Sequence, residues 1–182
     1  YGHDVTGFDL ASESIRIANE SRNEHLRFYV HDMRMPFTED GPFTYAFNFF
    51  TSFGYFENDA EDQAAFACFS HALAQKGRLI VDFLNVDYSL GRLVSEEDIL
   101  RNPITFHIKR SMDGRYFHKS TSFEDDGKSY EFKERVRALR LENFENLCAL
   151  NGLQIIETFG DYDLNPYDSQ NSPRLIFIAE KL

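Results

Sequence analysis

The sequence predicts an α/β fold with a mostly parallel sheet, an antiparallel final strand pair and a small antiparallel insert. The first 100 residues alternate short apolar runs with amphipathic helical stretches, which is the pattern of βαβ units. Two Asp-Gly dipeptides then separate alternating runs, a strong signal for hairpins. The last two apolar runs are joined by a polar loop without a helical crossover, so we expect them to be antiparallel.

Four strands are predicted in the first half of the chain, at residues 4–9, 26–30, 43–48 and 78–84. Ser12 is a good N-cap for a first helix that ends near Arg22. A second helix is predicted from about 60 to 75, and Gly77 is expected to end it. Because each strand is followed by a crossover, these strands should be parallel.

The second half begins with a predicted three-stranded meander. Asp113-Gly114 and Asp126-Gly127 join its runs, so we place the insert at residues 104–139, inside a core formed by 1–103 and 140–182. The remaining elements follow the insert: a helix at 141–150 ended by Asn151-Gly152, then strands at 153–159 and 174–180.

Composition excludes several classes of protein. Thirty acidic residues against 19 basic ones give a net charge of −11, which opposes nucleic-acid binding. No segment is apolar over the roughly 20 residues of a membrane span, so we expect a soluble, cytoplasmic protein. Cys68 and Cys148 lie 80 residues apart without metal-ligand spacing, so we expect reduced thiols and no metal site.

Polar side chains end three of the predicted strands, where ligands of open α/β sheets bind. Asp9 could accept both hydroxyl hydrogens of a ribose, or it could help to cap the helix that follows. Asp32 is either a ligand-binding acid or a turn residue. Asn48 could face a ligand or satisfy loop amides.

Three segments resemble successive motifs of the class I S-adenosylmethionine-dependent methyltransferases, which have a Rossmann-like fold. They are Val5-Thr-Gly-Phe-Asp-Leu-Ala-Ser-Glu-Ser-Ile-Arg-Ile-Ala18, Phe28-Tyr-Val-His-Asp-Met-Arg-Met-Pro-Phe37 and Phe43-Thr-Tyr-Ala-Phe-Asn-Phe-Phe-Thr-Ser-Phe-Gly-Tyr-Phe56. The resemblance continues through Gly77-Arg-Leu-Ile-Val-Asp82 and the closing strand pair. It therefore covers most of the chain apart from the insert.

The resemblance implies a set of cofactor-binding residues. The acid matching Asp9 binds the cofactor ribose, and the one matching Asp32 takes the adenine amine. The positions matching Leu10 and Met33 sandwich the adenine. Those matching Asn48, Phe49 and Phe50 lie beside the methionine and the methyl group.

The family begins with a strand, a glycine-rich turn and a helix, whereas this sequence resembles the family from the segment after them. We therefore expect a strand, a glycine-rich turn and a helix before Tyr1, with that strand between the 4–9 and 43–48 strands. Two smaller departures are Thr44, where the family often has aspartate, and Lys76, where it often has proline.

The expected activity is methyl transfer from S-adenosyl-L-methionine to a small molecule by direct displacement, with the insert selecting the acceptor. The basic residues of the insert either attract an anionic acceptor or pair with neighbouring acids, and pairing is the simpler interpretation. His31 and His118 are the only candidates for a general base, and the sequence shows no orienting partner for either. Most of the eight aromatic residues between 43 and 56 are predicted to lie in the core.

Two alternatives remain open at this point. A nicotinamide dinucleotide-dependent oxidoreductase also uses an acid at a strand end to bind ribose. A degenerate, non-catalytic domain would instead use its aromatic surface for self-association. Either a monomer or a homodimer is compatible with the sequence.

Overall fold

The computed structural model describes residues 2–182, which form three sheets. The first sheet is a parallel pair of β1 (Val5–Asp9) and β2 (Leu26–Val30), in which Val5 is opposite Leu26 and Asp9 is opposite Val30. Helix α1 (Ser12–Ala18) and a 3₁₀ turn (Asn19–Ser21) connect the two strands. The predicted parallel crossover is confirmed.

The second sheet carries the core of the protein and has the strand order β3-β4-β10-β9. Strands β3 and β4 are parallel, and β10 is antiparallel to both β4 and β9 as predicted. Its strands and helices are β3 (Phe43–Asn48), α2 (Asp59–Ala72), β4 (Leu73–Leu84), α4 (Leu141–Leu150), β9 (Leu153–Phe159) and β10 (Arg174–Lys181).

The insert is a separate antiparallel sheet with four strands rather than the predicted three. Its elements are β5 (Glu96–Arg101), β6 (Ile104–Met112), β7 (Tyr116–Asp125) and β8 (Lys128–Arg137), preceded by α3 (Val86–Gly91). The predicted boundary at 104 is therefore corrected to Glu96. The sequence concealed β5 because four of its six residues are charged, and only pairing with β6 makes it a strand.

Both predicted hairpins of the insert are confirmed. Gly114 connects β6 to β7 with a φ of 96°, and the β7–β8 turn places Asp126 at 48° and Gly127 at 73°. These left-handed values explain the Asp-Gly dipeptides, because glycine and aspartate adopt such conformations more readily than most residues.

Two helix ends differ from their predicted positions. Helix α2 ends at Ala72, because Leu73 already pairs with Phe43 as the first residue of β4. Gly77 consequently lies inside β4, where a Cβ atom would come within 2.8 Å of the Ala74 carbonyl oxygen. At the first helix, Ala11 rather than Ser12 is the N-cap, and no side chain caps it.

The hydrophobic core lies between α2, α4 and one face of the second sheet. Its largest side chains are fully buried phenylalanines, namely Phe53, Phe66, Phe83, Phe144 and Phe177. Cys148 is buried in the same core, and this burial raises the pKa of its thiol to about 12. Both cysteines are free thiols, as predicted.

The aromatic residues of β3 and the loop after it are mostly exposed, which corrects the prediction that they belong to the core. Tyr45 is 53% exposed, Phe47 59%, Phe49 42% and Phe50 76%, whereas Phe53 is buried. The reason is tertiary: among residues 2–182, β3 pairs only with β4, and the core covers only the face of β3 that holds Ala46.

Within residues 2–182, no helix is long and apolar enough to cross a membrane.

Candidate cofactor and acceptor site

Asp9 lies at the carboxyl end of β1, with its side chain exposed to solvent. Its carboxylate accepts a hydrogen bond from the Ala11 amide at 2.8 Å, a local turn contact that does not cap the helix. A carboxylate has about four acceptor positions, so this one contact leaves room for two hydroxyl donors. Leu10, the next residue, is 62% exposed beside it.

Asp32 follows β2 and is held by Arg34. The guanidinium of Arg34 donates to Asp32 from Nε at 3.0 Å and from Nη2 at 2.6 Å, which lowers the pKa of Asp32 below its ordinary value. The Arg34 amide also donates to Asp32, so the predicted turn role is present. Arg34 in addition pairs with Glu61 of α2. The sequence analysis overlooked Arg34, although it lies only two positions beyond Asp32.

A groove of about 1170 Å³ separates the first two sheets, between β1 and β3. Each of these strands pairs on its other side only, so among residues 2–182 their facing edges have no partner strand. Met33 and Phe49 both line this groove.

His31 also lines the groove, but its ring has a structural role. Its Nε2 atom lies 2.9 Å from the Met35 carbonyl oxygen and must donate to it. The ring also packs edge-to-face against Phe8 and Phe37. These contacts anchor the segment after β2 and give no support to a role as general base.

Asn48 ends β3 and is only 7% exposed. Its Oδ1 atom is buried and has no hydrogen-bond donor among residues 2–182. A buried acceptor without a partner costs free energy, and in native proteins it commonly indicates a bound ligand or water. Among residues 2–182 this oxygen accepts from no loop amide, so the contacts do not support the second of the two roles considered for Asn48.

The segment after Asn48 is a tight turn that holds Phe49, Phe50 and Thr51. The Phe50 amide donates to the buried carboxylate of Asp82 at 2.9 Å, and the Thr51 amide donates to the Asp82 carbonyl at 3.0 Å. Asp82 belongs to β4, so the end of β3 is fixed from the neighbouring strand. The sequence analysis did not identify Asp82 as part of the site.

A second cavity, of about 550 Å³, lies between the core and the insert. Thr51, Leu84 and Arg174 line it from the core, and Phe117 and Val136 line it from the insert. Two ion pairs complete its wall: Arg110 with Glu97 at 2.6 Å, and Lys119 with Glu134 at 2.7 Å. These bases of the insert are paired, as the simpler interpretation predicted.

His118 has a partner that the sequence did not reveal. Its Nε2 atom lies 2.7 Å from a carboxylate oxygen of Asp113, and this contact lowers the pKa of Asp113. His118 borders the second cavity, but side chains alternate along a strand, so its ring lies on the opposite face of β7 from Phe117 and Lys119. His118 thus has an orienting partner beside the second cavity, and its role as a general base stays a prediction.

Comparisons with known proteins identify the fold. No family model and no curated protein sequence matches the chain. Among solved structures, it resembles an S-adenosylmethionine-dependent methyltransferase from Clostridium acetobutylicum ATCC 824, with a TM-score of 0.83 and 15% identity over 97% of this chain and 74% of that chain. It also resembles CalS10, an amino pentose methyltransferase from Micromonospora echinaspora, with a TM-score of 0.71 and 20% identity over 100% of this chain and 75% of the other.

A third similar structure is the sugar N-methyltransferase KedS8 from Streptoalloteichus sp ATCC 53650, with a TM-score of 0.75 and 15% identity over 97% of this chain and 70% of that one. The agreement extends over nearly the whole chain, including the insert. The chain therefore has the Rossmann-like fold of the class I S-adenosylmethionine-dependent methyltransferases.

Proposed function

We propose that this protein is an S-adenosylmethionine-dependent methyltransferase that acts on a small molecule. The observation that carries the proposal is the partnerless, buried Oδ1 atom of Asn48, located at the carboxyl end of β3 in a methyltransferase fold. Ligands of open α/β sheets bind at such strand ends. The available carboxylate of Asp9 lies at the carboxyl end of β1, which is parallel to β2.

The residues present fit the cofactor. Asp9 would hold the ribose hydroxyls, while Leu10 and Met33 would enclose the adenine. Asp32 stays ionised beside Arg34, whose donors already contact both carboxylate oxygens, so the adenine amine would share an oxygen with Arg34. Asn48, Phe49 and Phe50 would lie beside the methionine end. The bound cofactor supplies a methyl group already activated on a sulfonium, so the chain mainly has to hold the acceptor in line with it.

The cavity between the core and the insert would hold the acceptor. The two charges of each ion pair in its wall neutralise each other. The remaining wall includes Leu84, Phe117 and Val136. Arg92 also lines the cavity and has no ion-pair partner among residues 2–182, so a polar small molecule, with or without a negative charge, suits such a wall. Two of the similar structures, CalS10 and KedS8, are an amino pentose methyltransferase and a sugar N-methyltransferase. Sugars are compatible with this class of acceptor. The net charge of −11 argues against nucleic acid, and we propose a cytoplasmic location.

Replacing Asp9 by alanine in the full-length protein tests the cofactor site. We expect the binding of S-adenosylhomocysteine to weaken by about 1.5 to 3 kcal/mol, because the ribose would lose hydrogen bonds to a charged group. Isothermal titration calorimetry measures this change. Asp163→Ala, which removes an exposed aspartate from the β9–β10 loop, is the matched control and should leave the affinity unchanged.

The same titration separates the alternatives. Unchanged affinity in a folded Asp9→Ala protein would remove Asp9 from the site. Binding of NAD in place of S-adenosylhomocysteine would favour the nicotinamide-dependent oxidoreductase. Binding of neither ligand would favour a non-catalytic domain, whose exposed Tyr45 and Phe47 could support self-association into a homodimer.

A further inference from the structure

The turn after β3 has an unusual backbone conformation. Phe50 and Thr51 both adopt left-handed φ values, of 58° and 59°. Such values are uncommon outside glycine, and for a β-branched residue such as threonine they are a genuine outlier. A strained conformation of this kind persists only where the surrounding structure over-determines it.

Asp82 supplies that restraint through a side chain that is only 1% exposed. Its Oδ2 atom accepts hydrogen bonds from the Phe50 amide at 2.9 Å and from the Tyr162 hydroxyl at 3.0 Å. Its Oδ1 atom accepts one from Nε of Arg174 at 2.7 Å. Three segments of the chain therefore converge on one buried carboxylate.

Arg174 connects the same carboxylate to the second strained residue. While its Nε atom binds Asp82, its Nη2 atom donates to the hydroxyl of Thr51 at 2.9 Å. Asp82 also accepts the Thr51 amide at its own carbonyl oxygen. Both strained residues are thus fixed to Asp82, directly or through Arg174.

The strained turn lies between the two cavities. Phe49 lines the groove between β1 and β3, whereas Thr51 and Arg174 line the cavity between the core and the insert. Asp82 itself lines neither cavity. It can therefore affect a ligand only by setting the position of residues that reach one.

We propose that Asp82 is a positioning residue that holds the Phe49–Thr51 turn in its strained conformation, so that the end of β3 presents a fixed surface to the cofactor. This inference rests on the proposed function for its ligand. The claim that the conformation of the turn depends on Asp82 does not rest on the proposed function.

The test is Asp82→Asn in the full-length protein, which preserves shape but replaces one acceptor oxygen by a donor. The new NH2 group must face either Nε of Arg174 or the two donors that bind Oδ2, and two donors cannot form a hydrogen bond. At least one of the contacts that hold the turn is therefore lost. We expect the dissociation constant of S-adenosylhomocysteine to rise about 10-fold or more, as for other hydrogen bonds to charged groups. We also expect the backbone NMR couplings of Phe50 and Thr51, which depend on φ, to depart from the values typical of a left-handed φ.

Two further variants make the result specific. Asp62→Asn makes the same chemical change at another buried acid paired with an arginine, Arg137, and Asp62 is 2% exposed. It should lower the melting temperature but change the dissociation constant less than about 2-fold, because Asp62 makes no contact with the turn. Tyr162→Phe removes one donor from an exposed side chain, so it should fold normally and weaken binding by only about 3-fold.

The outcomes separate the two proposals. If the parent protein binds S-adenosylhomocysteine and folded Asp82→Asn binds it equally well with unchanged couplings, the role of Asp82 is overturned. If the parent protein does not bind it, the proposed function fails, and the couplings of Phe50 and Thr51 alone decide whether Asp82 holds the turn. Equal losses of affinity in Asp82→Asn and Asp62→Asn would also overturn the proposal, because they would indicate general destabilisation.

Discussion

Replacing Arg137 by methionine is expected to lower the free energy of unfolding by about 3 to 5 kcal/mol. Arg137 is 8% exposed and forms an ion pair with Asp62, which is 2% exposed near the start of α2. Methionine would leave the Asp62 carboxylate buried beside an apolar side chain. The cost of an unpaired buried charge far exceeds the cost of losing an exposed ion pair.

Urea denaturation monitored by circular dichroism measures this change. Lys119→Met on the neighbouring strand is the matched control, because Lys119 and Glu134 are both more than 40% exposed in their side chains. It should alter the free energy of unfolding by at most about 1 kcal/mol. A loss of similar size in both variants would contradict the assignment of a buried, structurally important pair at Arg137.

The backbone of Arg137, as distinct from its ion pair, also connects the insert to the loop after β3. Arg137 ends β8, and its amide donates to the Gly54 carbonyl at 2.8 Å, three residues after Thr51. The C-terminal end of the insert is therefore hydrogen-bonded to the loop that contains the strained turn.

Replacing Phe144 by alanine is expected to cost about 3 to 5 kcal/mol of stability, because the change leaves a large cavity in a dense core. Phe144 is fully buried on α4. Its ring centroid lies 5.1 Å from those of Phe83 and Phe177 and 6.0 Å from that of Phe53. The side chain thus joins α4 to the strands of the second sheet and to the loop after β3.

Thermal and urea unfolding measure this effect, with Phe132→Ala as the control. Phe132 is 60% exposed on the insert, so its truncation removes little buried area and should cost less than about 1 kcal/mol. Comparable losses in the two variants would show that the core does not depend on Phe144 in the way that its contacts indicate.

Local sequence signals determined much of the secondary structure. Strands β2, β3 and β9 and helix α4 have the predicted bounds, because apolar runs of this length are bounded by strong turn residues. Asp113-Gly114 and Asp126-Gly127 predicted both hairpins, because the left-handed turns they occupy depend on only one or two residues. The antiparallel final pair followed from the polar loop before β10, which contains no helical crossover.

The candidate site residues were also predicted from local sequence signals. Asp9, Asp32 and Asn48 could be selected because each directly ends or follows a strand whose apolar pattern is readable. The family resemblance assigned them roles, and the similar structures confirm the fold on which those roles depend. Their contacts with a cofactor remain predictions for the titrations described above.

Tertiary structure alone decided the remaining features. Strand β5 exists because β6 pairs with its charged sequence. The aromatic residues of β3 are exposed because no core residue within 2–182 covers that face. The three donors to the Asp82 carboxylate are 32, 80 and 92 residues away along the chain. No periodicity, cap or turn signal encodes contacts at such separations, because those signals arise from neighbouring residues. A buried carboxylate gains its partners only when distant strands and loops come together in the folded protein.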